Sequence, residues 1–208
     1  MKLRLLGAVC ASISICLPSV TPAALVDNGG GLIYDSALNI TWAQPDALRT
    51  WNDANTWAAG LTLGGVTGWR LPYISVAAGA GPLTSSPVDC RTATEVACRD
   101  NELAYMFYQN LSGTYGSSIL TSGDPDLALF PQLQSEYYWS GTEFVSGDAW
   151  GVDFDNGDVD HGFNEFDEVL SWAVHEGNIG AIPIPPALYL FGTGLIGLIG
   201  IARRKKAA

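Results

Sequence analysis

Residues 149–163 read Ala149-Trp150-Gly151-Val152-Asp153-Phe154-Asp155-Asn156-Gly157-Asp158-Val159-Asp160-His161-Gly162-Phe163, and this stretch decides the fold class. Two alternating runs, Ala149 to Asp155 and Asp158 to Phe163, flank an Asn-Gly pair, a strong short-range signal for an antiparallel hairpin. A two-residue type I′ loop at Asn156-Gly157 sets Asp155 opposite Asp158 and Asp153 opposite Asp160. Side chains alternate with period two, so the four carboxylates then share one face. Val152, Phe154, Val159 and His161 share the other face, which suits the core. Like charges set opposite one another weaken a hairpin by roughly some tenths of a kcal/mol per pair. A Ca²⁺ ion, which takes several carboxylate and carbonyl oxygens, reverses that penalty. Asp153, Asp155, Asp158 and Asp160 are therefore the candidate metal ligands, and Ca²⁺ is the candidate cofactor. The alternative is a solvated acidic face in an acidic protein. The spacing is not that of an EF-hand, because Gly157 follows Asp153 by four residues and not by five.

Working outward, Tyr137-Tyr138-Trp139-Ser140 reads as a strand before this hairpin, and Leu170 to His175 as a closing strand after it. A helix is expected from Asp46 to Ala59, where Leu48, Trp51, Ala54, Ala58 and Leu61 recur at steps of three and four. A second is expected from Asn101 to Leu111, with Leu103, Met106, Phe107 and Leu111 inward and Gly113 as its stop. Near the start, Leu32-Ile33-Tyr34 and Asn39-Ile40-Thr41-Trp42 read as another hairpin. Long irregular stretches fill 75–99 and 114–135. The helices precede most of the strands, so the expected class is α+β, a small antiparallel sheet with two helices and long loops.

The whole chain has 208 residues, with 21 Asp and Glu against 10 Lys and Arg, a formal charge of −11. Mean hydropathy is +0.17, and it is unevenly spread. Residues 1–23 read as a signal peptide: Lys2 and Arg4, an apolar run from Leu5 to Leu17, then Thr21-Pro22-Ala23 for a signal peptidase. The alternative is an uncleaved N-terminal anchor. Residues 183–208 form a second distinct end. Pro183-Ile184-Pro185-Pro186-Ala187 is an extended, proline-stiffened segment. Ala187 to Ala202 is apolar and glycine-containing, the expected C-terminal transmembrane helix, and Arg203-Arg204-Lys205-Lys206 closes it as a basic stop. Read plainly, this is a membrane anchor whose basic end stays in the cytoplasm.

Residues 24–182 are then the expected extracellular domain. They hold all 21 acids, all seven tryptophans and only four cations, Arg49, Arg70, Arg91 and Arg99, for a net charge of −17. Such a domain excludes non-specific nucleic-acid binding, which needs Lys and Arg to displace counterions. Of the four cysteines, only Cys90 and Cys98 lie here. An exported compartment permits a disulfide between them, stapling one loop. Two free thiols or a metal pair are the alternatives, although no histidine stands nearby in sequence.

The tail, with its Pro-rich pentapeptide, apolar helix and basic cluster, resembles the PEP-CTERM class of bacterial sorting signals in its VPLPA-like variant. That resemblance implies an exosortase-type membrane protease as a partner, the inner membrane as a way-station, and the cell surface or extracellular matrix as the destination. The domain carries an ordered set of motifs. Gly31-Leu32-Ile33-Tyr34-Asp35 and Asn39-Ile40-Thr41-Trp42 open it, followed by Trp51, Ala54 and Trp57, then Gly68-Trp69-Arg70-Leu71-Pro72. Tyr138-Trp139-Ser140-Gly141-Thr142, Ala149-Trp150, Phe154-Asp155-Asn156-Gly157 and Trp172-Ala173-Val174 complete it. In this order they resemble the DUF1566 family, also called the Lcl C-terminal domain family. The resemblance implies a C-type-lectin-like fold and, from the adhesin that gives the family its name, binding of sulfated polysaccharides. The chain departs from the family at Trp57-Ala58-Ala59 and Trp172-Ala173-Val174-His175, where cysteines are often found, and at His175, which often is Arg. A net charge of −17 also repels polyanions.

Read physically, Trp69 and Leu71 fill core, Arg70 pairs with a carboxylate, and Pro72 ends the motif. Tyr138, Trp139 and Ser140 alternate, with Trp139 or its neighbours buried. The expected function is that of a surface or matrix binding module, for glycans or surface polymers, in which exposed Tyr or Trp stack on sugar rings. A structural matrix protein without a small ligand is the alternative, and a secreted hydrolase the second. The chain has no Gly-x-Ser-x-Gly elbow and no His-Glu-x-x-His helix, and its only histidines are His161 and His175. It is therefore read as a non-enzyme.

Overall fold

The structure is a computed structural model that describes residues 25–77, 86–145, 147–164 and 166–180. The signal segment 1–23, the Pro183–Ala187 motif, the apolar stretch 187–202 and the basic cluster Arg203–Lys206 lie outside the described residues. Among the described residues, no helix is long and apolar enough to cross a membrane.

The domain is α+β with two main sheets. The first joins β1 (Leu25–Asp27), β2 (Ile33–Asp35), β3 (Ile40–Trp42) and the last strand β11 (Val174–Glu176). The second runs in the order β4 (Asp46–Arg49), β10 (Val169–Ser171), β7 (Tyr137–Val145), β8 (Asp148–Asp153) and β9 (Val159–Asn164). One pair in it, β10 with β7, is parallel. A two-stranded ribbon, β5 (Val76–Ala77) with β6 (Ser86–Pro87), stands apart. The single antiparallel sheet read from sequence is thus two sheets, one of them mixed.

The split arises because a single ribbon bends from one sheet into the other. Residues 40–49 pair antiparallel with 169–176 along the whole length, as β3 with β11 and as β4 with β10. At the bend, Ala43 N donates to Ala173 O (2.9 Å) and Pro45 contributes no donor to either ladder. The expected closing strand, Leu170 to His175, is therefore two strands with Trp172-Ala173 as the corner. Trp172 is fully buried. Its ring packs on Trp42, Phe130, Tyr138 and Phe154, and its Nε1 donates to Ala43 O at 2.7 Å.

The expected first helix is shortened at its start. Asp46–Arg49 pair with β10 as a strand, and Leu48 is exposed. Helix α1 spans Trp51–Gly60, and the Thr50 hydroxyl caps it by accepting from Asp53 N. Helix propensity over four residues loses to a ladder that tertiary structure supplies. The expected second helix begins where the sequence places it: Asn101 accepts from Ala104 N at 3.1 Å and caps α3 (Glu102–Tyr105). It then widens into a π-helical turn, Met106–Asn110, closed by Leu111 N donating to Met106 O. A short helix, α2 (Glu95–Cys98), lies inside the stretch read as irregular.

Both faces of the five-stranded sheet are covered. Tyr138, Val152, Leu170 and Trp172 belong to an aromatic core that holds Phe107, Phe130 and Phe154. Trp139, Ala149, Val169 and Ala173 belong to a second core with Ala54 and Ala58 of α1, Trp69 and Leu71. Adjacent residues thus point into different cores, as the strand period requires. That is why Tyr138-Trp139-Ser140 is buried in full.

Among the described residues, one carboxylate is buried with no cation beside it. Asp35, at the end of β2, accepts from Ala37 N, Leu38 N and Asn110 Nδ2 at 2.9, 3.1 and 2.6 Å. Burial pushes its pKa above the usual carboxylate range despite these donors.

Candidate functional site

The hairpin register differs from the sequence reading. Val152 pairs with Val159 and Gly151 with Asp160. Asp153 N donates to Asp158 O at 2.9 Å, so the loop is four residues, 154–157. Asp155 does not face Asp158 across a two-residue turn, and Asp153 does not face Asp160. A type I′ turn needs positive φ at both central residues; here Gly157 has φ +81 and Asn156 is not among the residues with positive φ. The cause is Phe154, which is fully buried and anchored by Phe154 N to Glu136 O and Ile119 N to Phe154 O, both 2.9 Å. Burying that ring draws it out of the strand and lengthens the loop.

The carboxylates form the turn. Asp153 accepts from Asp155 N and from Asn156 Nδ2, both at 2.8 Å, and Asn156 Oδ1 accepts from Asp158 N at 2.7 Å. Asp155 accepts from Ser135 Oγ at 2.9 Å, and Asp160 from His161 N at 2.7 Å. All four, with Glu136 and Tyr137, line one open concavity of about 530 Å³. Among the described residues, no group of three or more His, Cys, Asp and Glu is placed to hold a metal ion.

The hairpin tip docks on the π turn. Tyr108 donates its hydroxyl to Gly157 O at 2.7 Å, and burial pushes its pKa up to about 12. A Cβ at Gly157 would lie 2.5 Å from Tyr108 Oη and 2.6 Å from Phe107 Cε1, so only glycine fits. Beside the tip runs an arm held by the Cys90–Cys98 disulfide. On it, Arg91 grips Asp89 with two side-chain bonds, Nε to Oδ1 at 2.7 Å and Nη2 to Oδ2 at 3.0 Å. These bonds hold the Asp89 carboxyl below its usual range. The Arg91 guanidinium also lies over the Tyr115 ring, 4.6 Å from its centroid, and Tyr115 is 49% exposed.

Two further concavities flank the Arg91–Tyr108 pair. One, about 170 Å³, is lined by Asp89, Arg91, Tyr108, Gly157 and Asp158. The other, about 380 Å³, is lined by Cys90, Arg91, Tyr108, Gln109, Thr114 and Tyr115. The first shares Asp158 with the acidic concavity. Tyr115, Arg91, Tyr108 and Asp158 therefore mark a groove of three neighbouring hollows that share lining residues.

The remaining motif residues are structural. Trp69, Leu71 and Pro72 are buried. Arg70 bonds both Glu102 oxygens at 2.8 Å and also meets Glu176. Burial opposes its charge, but the two carboxylates outweigh it and raise its pKa above the ordinary value. Its backbone bridges Val174 in both directions. Tyr138, Trp139 and Ser140 are fully buried. Tyr138 Oη accepts from Gln134 N, Trp139 Nε1 donates to Arg49 O, and Ser140 Oγ accepts from Thr142 N.

Sequence reasoning did not single out Asp89, Tyr108 or Tyr115 at the groove, nor Glu102 at Arg70. The available signal was scarcity, since Arg91 is one of four cations in the domain. No family model matches this chain, and neither the curated proteins nor the solved structures contain a match.

Proposed function

We propose that the chain is an exported binding module of the cell surface or extracellular matrix, with glycans or related surface polymers as ligands. The observation that carries this reading is the groove, in which a half-exposed Tyr115 and a polar Arg91–Asp89 pair sit along linked hollows. An aromatic face beside convergent polar groups is the chemistry that sugar rings require. On this reading the domain is a lectin-like member of the DUF1566 family, delivered by a signal peptide and an exosortase-recognised tail. Long loops carrying the groove, and first and last strands sharing one sheet, support that placement.

The two histidines are engaged elsewhere in the domain. His161 stacks on Phe144 and meets Trp150, while both ring nitrogens of His175 face carbonyl oxygens, those of Glu176 and Thr67. Neither lines the groove. The test is a glycan array probed with the purified chain. Binding to a defined set of sugars is expected; binding to none, with normal surface retention, replaces the reading with a structural matrix role. Intact-mass measurement of the exported protein tests delivery: the mature form is expected to lack residues 1–23 and the basic cluster Arg203–Lys206.

A further inference from the structure

We infer that the groove selects an uncharged sugar chain bearing vicinal hydroxyls, gripped at the Arg91–Asp89 pair and stacked at Tyr115. This rests on the glycan-binding reading and adds the charge class of the ligand. The two partners of the pair present complementary hydrogen-bonding groups side by side at the surface. Arg91 uses Nε and Nη2 on Asp89, whose Oδ1 also accepts from Arg91 N at 3.0 Å, which leaves the second Nη2 hydrogen and Nη1 as donors and one lone pair on Oδ2 as an acceptor. A vicinal diol is both donor and acceptor: one hydroxyl accepts from the guanidinium while its neighbour donates to the carboxylate. Both charged groups then keep each other and gain the ligand.

Charged ligands break this arrangement. A sulfate or carboxylate must compete with Asp89 for Arg91, with Asp158 lining the same hollow and Asp153, Asp155, Asp160 and Glu136 lining the next. An amine must approach Arg91 itself. Among the described residues, the neighbouring elements add no second cation to the hollows, whose lining includes Arg91 and no other Lys or Arg. Length follows from the geometry as well. Hollows of about 380 and 170 Å³ adjoin at Tyr108, and the acidic hollow of about 530 Å³ continues from Asp158. Successive units of a polymer fit this run better than a single sugar. Arg91 covers one face of the Tyr115 ring, and the residue is 49% exposed, so a sugar would stack on the face turned away from the guanidinium.

The test uses the full-length chain in detergent, with neutral oligosaccharides of graded length, sulfated and carboxylated counterparts of the same backbones, and amine-bearing oligomers. Neutral chains are expected to bind, more tightly as length grows, with affinity nearly independent of NaCl concentration. Tyr115→Ala is expected to weaken binding about tenfold, while Tyr115→Phe stays near wild type because the ring is kept. Arg91→Lys keeps the charge, loses the planar fork, and is expected to weaken binding about as much. Both side chains are exposed, and an unchanged melting temperature verifies folding. Tighter binding to the sulfated, carboxylated or amine-bearing forms overturns the charge class while leaving glycan recognition intact. Wild-type affinity in both Tyr115→Ala and Arg91→Lys overturns the location. Binding to no glycan of any class overturns the underlying reading together with this inference.

Discussion

Two antiparallel pairings in this domain are built on opposite principles. The bent ribbon of 40–49 with 169–176 carries apolar residues into both cores, and its corner is the fully buried Trp172. The hairpin of β8 and β9 puts Val152 and Phe154 into one core and leaves a row of carboxylates in water. The ribbon is held by burial between residues some 130 positions apart in sequence. The hairpin tip is shaped by side-chain bonds within six residues, from Asp153 to Asp158. Stability should therefore concentrate in the ribbon, and the form of the groove in the hairpin tip and the disulfide-held arm beside it.

The strongest way to break that comparison is Trp172→Ala. It removes an aromatic side chain from the centre of the core, and about 3–5 kcal/mol of stability should be lost in a denaturant titration. Gly157→Ala strikes the other region. A Cβ there meets Tyr108 and Phe107 at a positive φ, and a loss of about 2 kcal/mol is expected, with Tyr108 displaced from its carbonyl partner. A loss as large as that of Trp172→Ala would mean that the tip is as much a part of the core as the ribbon. Asp153→Ala removes two accepted hydrogen bonds at a partly exposed site and should cost about 1 kcal/mol. Its sharper readout is glycan affinity, which should change through the altered tip while the melting temperature falls by about 2–4 °C.

The smallest expected effect is a pH slope from Asp35, at the margin of the ribbon's sheet. Its folded pKa is raised, so the native state holds this proton more tightly than the unfolded chain does. Ionisation is then a destabilising burden, present in full above the folded value and relieved as pH falls through it toward the ordinary carboxylate range. Asp35→Asn keeps an oxygen for Ala37 N and Leu38 N, and Asn110 can turn its amide to present oxygen. Stability measured against pH should be flatter in this variant than in the wild type across that window. A variant with an unchanged slope would assign the wild-type slope to the domain's other acids.

Much of the fold was legible because its signals are short-range. Asn101 caps its helix, Gly113 follows the helix end, and the hairpins at 33–42 and 148–164 form where alternation and turn residues place them. The errors share one cause. Asp46–Arg49 has a helical pattern but meets β10, and Leu170 to His175 has a strand pattern but turns a corner at Trp172. The four aspartates were found as a group, yet their pairing was wrong because Phe154 is pulled into the core. The groove itself was not legible, since Arg91, Tyr108, Tyr115 and Asp158 come from four separate segments.

By itself, the sequence determined the α+β class, the places of the hairpins, the start and stop of the helix between Asn101 and Gly113, the acidic character of the domain between two distinct ends, and the need for Arg70 to find a carboxylate. Those features depend on periodicity, capping and charge count, which act locally or through composition. Only the tertiary structure decided that two sheets share one bent ribbon, that Glu102 and Glu176 answer Arg70, and that the hairpin register slips around Phe154. Each of these is a choice among partners distant along the chain, and burial of large rings decides it because a buried aromatic outweighs the turn preference of an Asn-Gly pair.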